Sequence, residues 1–221
     1  MSYFEFLAEY FPKLAGGAWV TVLQLICSAL LAAALSVFFG ILRLSRSRVV
    51  NGIALVYIEF FRGTSLLVQL FWIYYVLPLF GFTLSSFEAG FVALGLNFGA
   101  YGAEIVRGAI QSVPKAQWEA TIALNMSPAL RMRRIILPQA FPILIPPAAN
   151  LTVELLKATA LVAFITVLDL MFVAKQINAT TWLSVQTFGT ALIIYYVLAR
   201  FALTPFLRWL EFLAARKMGR A

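Results

Sequence analysis

Histidine is absent from this chain, and cysteine occurs once, at Cys27 inside an apolar run. A single thiol excludes an internal disulfide. Without histidine, neither a zinc site nor a histidine-based catalytic triad can be assembled. No G-x4-G-K-[ST] phosphate loop is present, so the chain is not itself an ATPase. Charge is scarce too: 12% of residues are charged against 62% hydrophobic, with a mean hydropathy of +0.91. A water-soluble domain does not have that balance. No catalytic constellation emerges, so neither an enzyme nor a cofactor or metal site is expected.

What is present is a series of long apolar stretches. The 221 residues leave room for several spans of ~20 residues, each matched to a ~30 Å hydrocarbon core. Residues 1–18 are aromatic and acidic (Glu5, Glu9), with Lys13 the only base. They lack the basic start of a cleavable signal and read as an external N-terminal segment. Trp19 to Leu42 is apolar over ~24 residues, enough to span, and ends at Arg43, Arg46 and Arg48. Val56 to Leu79 reads as a second span, entered through Glu59 and Arg62, with an external loop at Gly81 to Glu88. Phe87 to Val106 is the third, leaving through Glu104 and Arg107 into a polar loop at about 108–138. Phe141 to Leu156 re-enters the bilayer, interrupted by Pro142, Pro146 and Pro147. A further helical stretch, Leu161 to Ile177, holds Asp169 and Lys175, and Val185 to Phe206 is the last span. The expectation is an all-α integral membrane protein of about five transmembrane helices, with a transmembrane domain at 19–212 and a basic tail at 213–221.

The bases fix the orientation. All but Lys13, Lys157 and Lys175 fall in segments placed on one side. Under the positive-inside rule that side is the cytoplasm, which puts the N-terminus outside and the polar loop and C-terminus inside. The net charge of +8 then reflects membrane orientation and not nucleic-acid binding.

The polar loop carries its own punctuation. Pro114 suits the first position of a short helix, which runs through Glu119 and stops at Asn125, a residue that tolerates a left-handed cap. Ser127 and Pro128 then open a second helix as N-cap and N1. That helix carries Arg131, Arg133 and Arg134 and ends before Leu137-Pro138. A basic helix-turn-helix between membrane spans reads as a docking surface.

The loop resembles the E-A-A-x3-G-x9-I-x-L-P signature of bacterial ABC-importer permeases. Glu119, Ala120, Ile135, Leu137 and Pro138 match it, with Thr121 for the second Ala and Asn125 for the Gly. The flanks G-A-Y-G-A-E-I-V-R-G-A-I-Q-S-V-P-K and L-P-Q-A, and an earlier stretch from Glu59 to Pro78, resemble the polar amino-acid (histidine/glutamine-type) subfamily. The resemblance runs from about Trp19 to the C-terminus. It implies the MetI-like permease fold with a cytoplasmic coupling loop, in a multi-pass protein of a bacterial inner membrane. It also implies partners: two ATPase subunits that use the ATP, a second permease chain (a paralogue or a second copy), and an external solute-binding protein. Within the coupling loop it assigns Glu119, Ala120 and Thr121 to the ATPase contact, Asn125 to the interhelical angle, and Leu137-Pro138 to the motif's end. A self-contained secondary carrier is the competing class, but it has no use for a docking loop, and inverted repeats are not apparent.

Several residues need two readings. Glu59/Arg62 and Glu104/Arg107 are i,i+3 pairs at cytoplasmic helix ends, either local charge pairs or an inner gate. Gly95, Gly99 and Ala103 form a small-residue row that reads as a packing seam. Trp72, Tyr74 and Tyr75 read as an interfacial aromatic belt. Lys157 lies some ~20 Å along its helix from Pro142, where a base costs about 2.5–3.5 kcal/mol and needs a partner or a water-filled cavity. Glu154 at i−3 is the partner candidate, and Thr159 could add a neutral hydrogen bond. The pair is either structural or part of the substrate path.

The stretch K-A-T-A-L from Lys157 to Leu161, together with A-L-N from Ala123 to Asn125 in the polar loop, resembles ectoine/hydroxyectoine permease subunits. The amino-acid subfamily reads N-E-F-x-x-L-L-K-D-T-S-L, whereas this chain has Leu151 and Ala158 at the two carboxylate positions and keeps Lys157 and Thr159. A small zwitterion with spread positive charge, of the ectoine type, is therefore ranked first as cargo, and polar amino acids second.

Overall fold

The computed structural model describes residues 2–216. Lys217 and Arg220 of the expected basic tail lie outside the described residues. Among the described residues ten α-helices follow one another: α1 (Tyr3–Leu42), α2 (Arg48–Gly63), α3 (Leu66–Phe71), α4 (Ser86–Gln111), α5 (Lys115–Ala123), α6 (Pro128–Arg131), α7 (Leu137–Ala158), α8 (Leu170–Thr181), α9 (Ser184–Val197) and α10 (Thr204–Arg216). No strand occurs among the described residues. Among these residues four continuous helical runs are long and apolar enough to cross a membrane: Tyr3–Leu42, Ser86–Gln111, Pro128–Ile165 and Ser184–Phe212. The bent pair Arg48–Gly63 and Leu66–Phe80 makes a fifth. The expected all-α architecture of about five spans is the one observed.

The first span starts well before Trp19. Ser2 and Glu5 form a capping box: Ser2 N–H donates to Glu5 Oε2 at 2.8 Å, and Glu5 N–H donates to Ser2 Oγ at 3.3 Å. Two otherwise unpaired donors are thereby satisfied, and the segment at 1–18 is helical from Tyr3 onward. At ~1.5 Å per residue, the 40 residues of α1 run about 60 Å, roughly twice the hydrocarbon thickness.

α4 is the principal partner of α1 and lies at the centre of the largest core cluster, with Leu94 and Phe98 set among Leu25, Leu70, Leu156 and Val162. The small-residue row makes this approach close. A Cβ added at Gly95 would lie 2.6 Å from Leu31 Cδ2, and one at Gly99 would lie 2.8 Å from Leu35 Cβ. Between helices in lipid, such backbone proximity supplies the van der Waals contact that drives association. The row is the packing seam it was read to be.

The second span is broken where a continuous helix was expected. Thr64 and Ser65 are extended, with ψ of 154° and 129°, and the helices on either side of them are bent by 103°. Gly63-Thr64-Ser65 is poor in helix propensity, but buried amides are what make the break tolerable. Gln69 Nε2 donates to Phe61 O at 3.0 Å and to Thr64 Oγ1 at 2.7 Å. Asn97 of α4 donates from Nδ2 to Phe61 O at 2.9 Å and to Gln69 Oε1 at 3.1 Å. Helix-end carbonyls that have lost their partners must be satisfied inside a membrane, and these two side chains do so.

Two further boundaries differ from expectation. The helix after Ser127 does not stop at Leu137-Pro138. It passes through a π-turn at Met132–Ile136, where Leu137 N–H reaches back to Met132 O, and runs on as α7. Pro138 lies within this continuous run, directly after the π-turn. Nor do Pro142, Pro146 and Pro147 interrupt α7, which is helical through all three. Packing against α4 and α10 overrides their local preference. The stretch Leu161 to Ile177, expected as one helical piece, is two. A 3₁₀ segment at Thr159–Ile165 ends at Thr166 with φ 63°, and Asp169 Oδ1 then accepts from Phe172 N–H at 2.9 Å to cap α8.

Candidate functional site

The polar loop folds largely as its punctuation predicts up to α7, except that Pro114, with ψ 138°, is the N-cap of α5 and not its first helical residue. Asn125 has φ 52°, the left-handed conformation that lets the chain turn between α5 and α6. Ser127 Oγ accepts from Leu130 N–H at 3.4 Å as N-cap. Arg131 Nη2 donates to Met126 O at 3.2 Å across the turn. One side of this unit is anchored: Thr121 is buried, with its hydroxyl donated to Trp118 O at 2.7 Å. Trp118 and Met132 pack on the cluster of Val106, Ile110 and Ile136. The other side is open. Glu119, Ala120, Asn125 and Pro138 are exposed, and so are the apolar side chains of Ile122, Leu124 and Leu137. Of the coupling residues expected from sequence, only Thr121 faces inward.

The two charge pairs part company. Arg107 embraces Glu104, with Nε 3.0 Å and Nη2 2.6 Å from Oε2, and its Nη1 reaches Gln111 Oε1 at 2.6 Å. Glu59 and Arg62 form no ion pair among the described residues. Arg62 turns across to α4, its guanidinium carbon 5.3 Å from the centroid of the Tyr101 ring, and Glu59 is left exposed. The expected Glu59/Arg62 pair is replaced by a cation-π contact between helices. Its delocalised charge suits an aromatic face.

In α7, Lys157 Nζ lies 2.7 Å from Glu154 Oε1, and both side chains are more than half exposed on the surface of the chain. Thr159 is not with them. It is fully buried, and its hydroxyl is donated to Leu156 O at 2.6 Å, so it offers no free hydrogen bond beside Lys157. The opposite face of α7 borders a cavity of 140 Å³ against α1 and α4, lined by Ala33, Ser36, Phe98, Gly102, Leu151 and Thr152 among others. Its polar groups are already engaged: Ser36 Oγ lies 2.6 Å from Ala32 O, and Thr152 Oγ1 donates to Ala148 O at 2.8 Å. The wall therefore offers shape and apolar surface but no charge.

Residues 20–215 match the family described as the binding-protein-dependent transport system inner membrane component. The chain belongs to that family. It is a multi-pass inner-membrane permease, a transport component of an ABC importer and not an enzyme, in a class that works with an ATPase and a solute-binding protein. Among its relatives, the probable amino-acid ABC transporter permease protein y4tF of Sinorhizobium fredii is 44% identical over 217 residues, covering 96% of this chain and 91% of that one. The L-cystine transport system permease protein TcyB of Bacillus subtilis is 40% identical, covering 77% of this permease and 73% of its own length. The crystal structure of an amino acid ABC transporter with histidines contains a chain that superposes with a TM-score of 0.88 at 32% identity, over 96% of this permease and 98% of that chain.

Sequence reading missed the Gln69–Asn97 amide pair. The only available signal was two amide side chains in apolar runs, where each needs a partner.

Proposed function

We propose that this permease forms one half of the path by which a polar, net-neutral amino acid enters the cytoplasm. The observation that carries the reading is the amino-acid relative at 44% identity over 96% of the chain, joined by a cystine permease. These relatives reverse the order of cargo drawn from the sequence: amino acids stand first and ectoine-type solutes second. The ectoine reading keeps one specific support, the uncharged Leu151 and Ala158 at positions where the amino-acid subfamily has acids. The same absence argues against a cationic amino acid, because a desolvated second positive charge needs close anionic partners.

Two copies, or this chain and a paralogue, surround the path, and two ATPase subunits grip the loops carrying Glu119, Ala120 and Asn125. The N-terminus is outside and the C-terminus inside, as the distribution of arginines requires. ATP is consumed by the partner, and the permease itself needs no cofactor. Lys157 meets the cargo carboxylate once its hold on Glu154 is exchanged.

Uptake by proteoliposomes holding the whole transporter tests this. Saturable uptake of glutamine or cystine, unaffected by excess ectoine, is expected. Ectoine uptake that ignores both amino acids would restore the other order. Lys157→Met should abolish uptake while the external protein still binds its solute, and full uptake by that variant would remove Lys157 from the path.

A further inference from the structure

On the face of α7 turned away from α4, a cleft of 450 Å³ opens against α10, its wall formed by Asn150, Glu154, Thr204, Leu207, Arg208 and Glu211 among others. Its size falls in the ~300–1,000 Å³ range of small-molecule sites. Its wall is more polar than apolar, in a part of the chain where the neighbouring surface of α10 exposes Phe206, Trp209 and Phe212. Glu154 is held by Lys157. Arg208, Glu211 and Asn150, in contrast, have no ion pair and no side-chain hydrogen bond among the described residues. Arg208 and Glu211 are one helical turn apart and could have paired with each other, yet each is left open to the cleft. Two carboxylates and one guanidinium thus converge on a single recess.

We propose that this cleft is a binding station for a zwitterion, with Arg208 and Asn150 holding a carboxylate and Glu154 and Glu211 flanking an ammonium. The inference rests on the amino-acid reading and deepens it by naming a station, separate from the Lys157 contact, that holds both charged ends of the cargo. A zwitterionic phospholipid headgroup carries the same pair of charges. The amino acid is the better occupant because Lys157, the proposed path residue, is tied to Glu154 at the rim.

The test is equilibrium binding of radiolabelled L-glutamine to the permease–ATPase complex in nanodiscs, without the external binding protein. Its decarboxylated analogue 4-aminobutanamide serves as a second probe. Arg208→Gln should weaken glutamine binding about tenfold or more, the worth of a charge-assisted hydrogen bond, and leave 4-aminobutanamide unaffected. Arg208→Lys should recover part of the loss, and Glu211→Gln should weaken both probes. Gel filtration and ATPase activity report whether each variant is assembled, and if Arg208→Gln does not assemble, the Arg208→Lys and Glu211→Gln measurements decide. Glutamine binding that ignores Arg208 and Glu211 overturns the station. So does loss of co-purified phosphatidylethanolamine, read by native mass spectrometry, with glutamine binding unchanged. If wild-type proteoliposomes take up glutamine while either result holds, only the station fails. If they take up no amino acid, the amino-acid reading fails with it.

Discussion

The α1–α4 seam and the α7–α10 cleft are both helix contacts in one small membrane protein, built on opposite rules. In the seam, backbones come so close that Gly102 lies directly against Ser36 of α1, and the hydroxyl of Ser36 is satisfied within the helix pair. In the cleft, the helix carrying Arg208 and Glu211 packs on α7 but leaves a recess of 450 Å³ beside the contact. The first arrangement maximises dispersion contact where water cannot help. The second keeps polar groups unspent. A residue's membrane depth does not tell these two uses apart, whereas its distance to the neighbouring helix does.

The comparison can be broken most decisively at the seam. Gly102→Leu has no space to enter and should remove most folded protein, since overpacking alone costs about 1–3 kcal/mol and occasionally more. A normal yield and unchanged melting temperature in detergent would mean that the seam yields. On the open side of the coupling loop the expected effect moves from folding to transport. Glu119→Lys should insert and assemble normally but uncouple uptake from ATP hydrolysis, and a reconstituted complex that still transports fully would exclude Glu119 from the ATPase contact. Asn97→Leu tests the buried amide pair at the broken span. Leaving Gln69 and Phe61 O short of a partner should destabilise by about 1–3 kcal/mol, visible as an earlier thermal transition. Glu59→Gln should change the least, within about 0.5 kcal/mol, because this exposed carboxylate has no partner among the described residues. A clear loss of stability or transport there would reinstate it as a gate residue.

Much of the coupling loop was legible because its cues are local. The proline at 128, the serine before it and the asparagine at 125 each act on their own few backbone groups, and their conformations follow. The span boundaries were less legible. Pro142, Pro146 and Pro147 read as interruptions, yet α7 continues, because neighbouring helices hold what the local preference would release. The break at Thr64-Ser65 was invisible for the converse reason: its support comes from Gln69 and from Asn97, far along the chain. Glu59/Arg62 and Glu104/Arg107 are indistinguishable as i,i+3 pairs, and only the presence of Tyr101 opposite Arg62 separates them.

The sequence by itself determined that this chain is built of apolar stretches long enough to cross a membrane, and where the turn in its polar loop falls. Those properties depend on composition and on backbone chemistry within a turn or two. Tertiary structure alone decided which polar side chains are spent and which are free. Thr159 is buried and engaged while Lys157, two residues away, is exposed. Leu151 borders a small apolar cavity while Glu154, three residues on, borders a polar cleft. On a helix, neighbours in sequence point ~100° apart, and what each one meets is set by helices distant in the chain.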